Sequence, residues 1–433
     1  MKYYLIIDTI SGLVAADKLS ENNFQIDLLI PENSNFNGFN SKKLQFGSRL
    51  FELETQKNAN SNKDISEYIP QYKGHRNFIQ HVAPYLKDLF LDKLIVAPDP
   101  KLVESNEIYS DFLYGDYFED LIKYLDFKND VEAKSNRFLI NNYSEYTKII
   151  ENYKSYKDLS KMLHPTSINK VINNLLNKLS GKKDIISKFH RILWLPILWD
   201  STINDYHHLN DKKLTRSKFY RPQNEDFNFV EELIKRIQSR KNVNLEYFKV
   251  DEIRFQDKKI KINRTTIQDN DNVIISLAFR YFDHIFEDKE EDIKRWGFSI
   301  YNIKRDYLLK EFSQITFDGS SLPYRVSYKF DNETFNLCIE KGTTNNNDNK
   351  LFNFLIKNGY LSEKFEFEKD KYQEFSIPFK LPTEKNEEIF NYKTEKINTI
   401  LNKSIKLSPL SFYQSSALNE QIAEGLSIGS KLN

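Results

Sequence analysis

Lys2 to Ala16, KYYLIIDTISGLVAA, runs an apolar strand, a tight turn and the start of a small-residue helix end to end. Phe24 to Ile30, FQIDLLI, supplies a second apolar strand, so the chain opens on a βαβ unit of the dinucleotide-binding kind. In such a unit, glycines let the turn close and let backbone N–H groups approach a diphosphate at the helix N-terminus. Here the turn reads Asp8-Thr9-Ile10-Ser11-Gly12, about one residue short of G-x-G-x-x-G, and only its last glycine survives. A carboxylate at Asp8 would also point negative charge toward the place of the diphosphate. The architecture is legible here; the ligand is not.

With 433 residues the chain can support two or three domains, or one large core with an inserted domain. Lys+Arg 63 against Asp+Glu 62 leaves no net charge to steer it toward nucleic acid or an anionic membrane. Cys338 is the lone cysteine, which excludes an intrachain disulfide framework and fits a reducing compartment. In the strand-like FNLCIE it reads as a small buried residue rather than a nucleophile. No signal peptide pattern precedes the first strand, and no stretch approaches the ~18 apolar residues of a membrane span. A cytoplasmic protein without a membrane span is expected.

Tyr68 to Asp126 reads as mostly helical, punctuated at His81-Val82-Ala83-Pro84 and Ala97-Pro98-Asp99-Pro100, with Tyr109, Phe112, Tyr114, Tyr117 and Phe118 as core filling. Ile168 to Leu179 has helical apolar spacing, and Phe189 to Trp199 is a short buried run. From Phe229 the pattern becomes an amphipathic helix to Ile237, a strand over Val243 to Tyr247, then Lys249 to Phe255, Lys259 to Ile262 and Val273 to Leu277. Gln256-Asp257-Lys258 and Asp269-Asn270-Asp271-Asn272 are turns between them. Phe317 to Ile339 reads as strands with turns at Asp318-Gly319 and Asp331-Asn332. Gly342 to Lys350 reads as a polar loop and Asn419 to Leu432 as a closing helix, and no internal repeat is found.

Five segments, in order along the chain, are similar to one family. LIIDTISGLVAADKLS resembles a strand and glycine turn followed by S-G-L-x-A-A; Gly38 followed by LQFGSRLFEL resembles a phenylalanine-x-x-glycine segment that leads to an isoalloxazine. FYRPQNEDFNFVEELIKRI resembles a Y-P-x-G-G turn before a helix, and VNLEYFKVDEIRF…NVIISL resembles a meander that packs on an adenine. ALNEQIAEGLSIG resembles a C-terminal helix whose start faces a flavin. Together they resemble the flavin-dependent amine oxidase and UDP-galactopyranose mutase group. The resemblance implies an α/β fold: a discontinuous Rossmann-like FAD/NAD(P)-binding domain (1–80, 215–280 and 396–433) with an inserted α+β substrate domain (81–214 and 281–395). It implies FAD as cofactor, with Thr9, Ser11, Gly12, Glu32, Gly47, Val250, Asn419 and Gln421 at the positions that bind it.

The departures from the family pattern fall where FAD would be touched. The turn glycines are gone, and the acidic residue that ends the second strand falls at about Ile30, with Pro31 and Glu32 beyond it. The Gly-Gly of the third segment is Gln223-Asn224, and Ser408-Pro409-Leu410-Ser411 replaces the glycine-aspartate before the last helix.

Leu322 to Tyr328, LPYRVSY, resembles a segment where a strand arginine faces the substrate, so Arg325 with Tyr324 or Tyr328 is expected to clamp a phosphate or carboxylate. Arg280, beside Tyr281, is expected at a domain crossover, and Arg49 near a flavin's reactive edge. An interdomain cleft lined by Arg325, Tyr324, Tyr328 and Arg280 is the expected ligand site. No metal site is expected, since His164 and His207-His208 lack a ligand-like spacing; neither G-x-S-x-G nor a P-loop occurs. Two functions follow. One is a flavin-dependent oxidoreductase or nucleotide-sugar mutase-like enzyme with an eroded FAD site, acting on a small polar or anionic substrate, a nucleotide sugar among them. The other is a non-catalytic descendant that binds a ligand or protein partner without flavin.

Overall fold

The computed structural model describes residues 2–22, 24–34, 36, 51–54, 73–98, 101–104, 107–110, 218–223, 227–249, 254–256, 259–263, 265–268, 271–277, 290–317, 323, 325–342, 348–367, 372–380, 383–401 and six positions within 421–429. In chain order the elements begin β1 (Lys2–Ile7), α1 (Ile10–Glu21), β2 (Gln25–Pro31), β3 (Phe51–Glu54), α2 (Lys73–Phe90), β4 (Leu94–Val96), β5 (Lys101–Glu104) and β6 (Glu107–Ser110). They continue with β7 (Lys218–Pro222), α3 (Phe229–Gln238), β8 (Val243–Phe248), β9 (Arg254–Gln256), β10 (Lys259–Ile262), β11 (Thr265–Ile267) and β12 (Asn272–Ser276). The last are β13 (Ile293–Lys304), β14 (Gln314–Phe317), β15 (Arg325–Asp331), β16 (Thr334–Gly342), α4 (Asp348–Lys357), β17 (Gln373–Lys380) and α5 (Glu384–Leu401). The chain divides into two compact units, one of Met1–Gln45, Asp226–Asp292 and Lys385–Asn433, the other of Phe46–Glu225 and Ile293–Glu384.

The first unit is built on a four-stranded sheet in the order β12-β1-β2-β8, parallel at every pairing. Because α1 carries the chain from β1 to β2 on one side while β12 lies on the other, the strand order reverses between β1 and β12. In open α/β sheets that reversal, at the carboxyl ends of the strands, is where ligands bind. Ile10 to Asp17 of α1 are all buried, which its small residues Gly12, Ala15 and Ala16 permit. α3 starts at an Asn228 cap, whose side chain accepts from Val230 N and Glu231 N at 3.0 and 3.3 Å. It buries Phe229, Val230, Leu233 and Ile237. The two helices are tied by Asp17, fully buried, which takes Arg236 Nε at 3.2 Å and Arg240 Nη2 at 2.8 Å. Beside this sheet β9, β10 and β11 form a three-stranded meander. β11 was not anticipated; Asn263, at φ +51, turns the chain tightly enough for Thr265–Ile267 to pair back on β10.

The second unit carries a seven-stranded sheet, β17-β13-β16-β15-β14-β5-β6, and a three-stranded sheet, β3-β7-β4. One face of the larger sheet holds an apolar core of Ile315, Phe317, Val326, Tyr328, Leu337 and Ile339, closed by Leu351, Phe352 and Leu355 of α4. The expected helical stretch over Tyr68 to Asp126 is corrected here. α2 runs unbroken through His81-Val82-Ala83-Pro84, but the chain then forms strands β4, β5 and β6. Their propensity is overridden by pairing with distant strands, β4 on β7 and β5 on β14. Ala97-Pro98 does interrupt the chain, between β4 and β5. The expected loop over Gly342 to Lys350 is shorter at its end, since α4 already starts at Asp348. The Asp331-Asn332 turn is a tight β15–β16 hairpin with Asn332 at φ +54. Ile168 to Leu179, Phe189 to Trp199 and the Asp318-Gly319 turn lie outside the described residues.

Candidate functional site

The first candidate site is the N-terminus of α1, beside the ends of β1 and β12. Counting back from Gly12 places Ile7 and Thr9 at the first two glycine positions of G-x-G-x-x-G, so the turn has full length and is not one residue short. Ile7 does double duty as the last residue of β1. Thr9 caps α1 in an extended conformation, φ −123° and ψ 156°, which needs no glycine. Its Oγ1 accepts from Gly12 N at 3.0 Å and lies 2.5 Å from Ser276 Oγ, at the end of β12. Asp8 N donates to Ser276 O at 2.9 Å, and Asp8, Thr9 and Ser276 are 0%, 0% and 1% exposed.

Gly12 survives for a reason of packing. A Cβ built there would stand 2.6 Å from Ile7 Cγ2 and 2.7 Å from Ile7 Cβ, so only glycine lets α1 lie this close to the sheet. A similar approach occurs at Gly425 in the closing helix, whose added Cβ would meet Ser11 O at 2.5 Å. Gln421, in the same segment, is buried. Glu32 lies exposed just past β2, its backbone N donating to Phe248 O at 2.9 Å.

The residues at the α1 terminus do not fit the diphosphate of a dinucleotide bound in the family manner. A β-branched side chain stands where the motif needs a bare backbone, and the Gly12 amide already has an acceptor. A carboxylate is buried one residue away.

The second candidate site lies in the other unit. Arg325 sits on β15 and is bound by its cross-strand neighbour Glu340, with Nε and Nη2 at 3.0 and 2.5 Å from Oε1 and Nη1 at 3.4 Å from Gln314 Oε1. Tyr328, three residues on, projects from the opposite face of the strand. It is 2% exposed among Phe312, Phe330 and Phe335, with its hydroxyl 3.4 Å from Arg221 Nη1. Burial pushes the Tyr328 hydroxyl pKa up, and Arg221 partly opposes that. Arg221 in turn pairs with Glu311 at 2.6 Å. The strand therefore does not bring Arg325 and Tyr328 to one surface, and Arg221, on β7, is a partner that sequence reasoning missed. Tyr324, Arg280, Arg49, Gly47, Val250 and Asn419 lie outside the described residues.

Arg325 lies on a face of the sheet that mixes polar and apolar groups, with buried Ile300 and Phe298 of β13 opposite Cys338 and Glu340. Cross-strand register and alternation set it beside Thr316 and Glu340, with Gln314, Ser327, Cys338, Asn302 and Asn336 in the neighbouring rows. Asn302, Thr316, Ser327 and Cys338 are buried. Asn302 Nδ2 donates to Thr334 Oγ1 and Asn336 Oδ1, at 2.9 and 3.0 Å, while its Oδ1 is buried and accepts no hydrogen bond among the described residues.

No group of three metal-ligating side chains occurs among the described residues, and none of the described helices is long and apolar enough to cross a membrane. No family model matches the sequence, and no curated protein does. Among solved structures, the chain is similar to reduced UDP-galactopyranose mutase, with TM-score 0.53 and 9% identity over 100% of this chain and 95% of that one. It is also similar to cyclohexylamine oxidase from Brevibacterium oxydans IH-35A, with TM-score 0.50 and 8% identity over 100% and 99%. The chain therefore has the fold of the amine oxidase and UDP-galactopyranose mutase group, a Rossmann-type α/β architecture.

Proposed function

We propose that this chain binds a small polar molecule on the Arg325 face of its seven-stranded sheet, a function that needs no flavin. The observation that carries the reading is the contrast between the two faces of that sheet. One is mainly an apolar core, while the other, beside Ile300 and Phe298, buries hydroxyl, amide and thiol groups, an Asn302 Oδ1 unpartnered among the described residues and an ion pair. A buried polar group without a partner costs about 1–3 kcal/mol, a cost that a hydrogen-bonding ligand removes. Because Arg325 is already matched by Glu340, the face suits a ligand with both donors and acceptors, such as a sugar, better than a bare phosphate or carboxylate.

The test is calorimetric titration of the purified chain with UDP-galactose and with galactose. Binding that Arg325→Ala or Thr316→Val weakens at least tenfold supports the reading. Binding left intact by both substitutions, or no binding by either probe at millimolar concentration, contradicts it. A second reading, a flavin-dependent oxidoreductase or mutase-like enzyme acting on a small polar or anionic substrate, is supported by the fold likeness to an oxidase and a mutase. The residues at the α1 terminus speak against it.

A further inference from the structure

We infer that the chain's own side chains close the α1 terminus where a dinucleotide diphosphate would bind, and that Thr9 is the residue that closes it. This stands independently of the ligand reading for the second unit. The helix end offers a dinucleotide its free backbone amides, and here one of them, that of Gly12, is answered from within. Gly12 N donates to Thr9 Oγ1 at 3.0 Å, just ahead of the helix's own first backbone bond from Leu13 N to Thr9 O. Thr9 Oγ1 is held in turn by Ser276 Oγ across the β1–β12 reversal, so the hydroxyl pair bridges the two strand ends that would flank a bound diphosphate. Asp8 N extends the same seam by one backbone hydrogen bond to Ser276 O.

Three features make this a closure and not an open site that lacks glycines. Thr9 takes a conformation open to any residue, so nothing strained would be relieved by a ligand. The hydroxyl pair is shielded from solvent on both sides, with Thr9 and Ser276 both buried. The position that retains glycine is the one that packing requires, with Ile7 and Ser276 pressed against it; Ile7 and Thr9 occupy the positions of turn closure and phosphate approach. The arrangement keeps what holds the fold and fills what held the ligand.

The experiment compares the full chain with Asp8→Gly, Thr9→Gly and their combination, titrated with FAD and read by flavin fluorescence, gel filtration and thermal melting. The wild type is expected to retain no flavin through gel filtration and to melt at one temperature with or without excess FAD. The double variant is expected to bind FAD at least tenfold more tightly than the wild type. Stoichiometric FAD on the wild type would overturn the inference, as would a double variant that melts cooperatively yet gains no FAD affinity. Should that variant not fold, hydrogen exchange at the Gly12 amide of the wild type decides. Exchange unchanged by FAD upholds the closure; FAD-dependent protection at that amide overturns it.

Discussion

Gly12→Ala should destabilise the first unit, and the size follows from the contacts around it. The new methyl would sit 2.6 Å from Ile7 Cγ2, 2.7 Å from Ile7 Cβ and 3.2 Å from Ser276 Cβ. Ordinary carbon contacts begin at about 3.5 Å, so something must give by roughly 0.9 Å. Ile7 cannot swing aside, because its Cβ is fixed to the backbone of β1 and the residue is fully buried. α1 must therefore lift from the sheet, and overpacking of this kind costs about 1–3 kcal/mol. Alanine recovers at most about 0.5–1 kcal/mol of helix propensity over glycine. The net expectation is a loss of about 1–2 kcal/mol, seen as a lower urea midpoint with an unchanged slope. Since two units need not unfold together, hydrogen exchange of α1 amides should accompany the melt. A variant as stable as the wild type would refute the claim that this glycine is kept for packing.

Asp17→Asn should cost about 3 kcal/mol, because it leaves Arg236 and Arg240 facing a buried neutral group; both guanidiniums keep some solvent, which holds the figure at the low end of buried-pair losses. Denaturant melts of the variant would check it. At low pH, the Lys341 ammonium at 2.6 Å holds the Glu374 carboxyl below its ordinary range. Its contribution is present above the unfolded value of about 4.3 and lost as pH falls through the lower folded value. Glu374→Gln should therefore flatten part of the acid limb of stability. At high pH, burial and the hydrogen bond to Asp348 raise the Tyr301 hydroxyl pKa well above the ordinary range. Its contribution is present below the unfolded value of about 10 and fades above it, so Tyr301→Phe should lessen alkaline destabilisation in a melt-versus-pH series.

The βαβ opening was legible because its apolar runs and turn lie close together in the chain. α3, β8, β10 and β12 were read within a residue or so for the same reason. What stayed hidden depends on distant partners. Nothing near Thr9 says that Ser276 will meet its hydroxyl. Strands β4 to β6 looked helical until their pairing partners, β7 and β14, were known. Arg325 stood out through the resemblance of LPYRVSY to a segment with a substrate-facing arginine, yet its partner Glu340 is set by hairpin register. The opposite facing of Arg325 and Tyr328 follows from a strand period of two, so Tyr328 could have been set apart from Arg325 on sequence alone.

The most direct test of the central claim is the absorbance spectrum of the freshly purified, natively expressed chain, followed by analysis of whatever small molecule denaturation releases. A chain whose α1 terminus is closed by Thr9 and Ser276 should be colourless, show no oxidised flavin bands and release no FAD. Yellow protein carrying FAD at one equivalent per chain would contradict it.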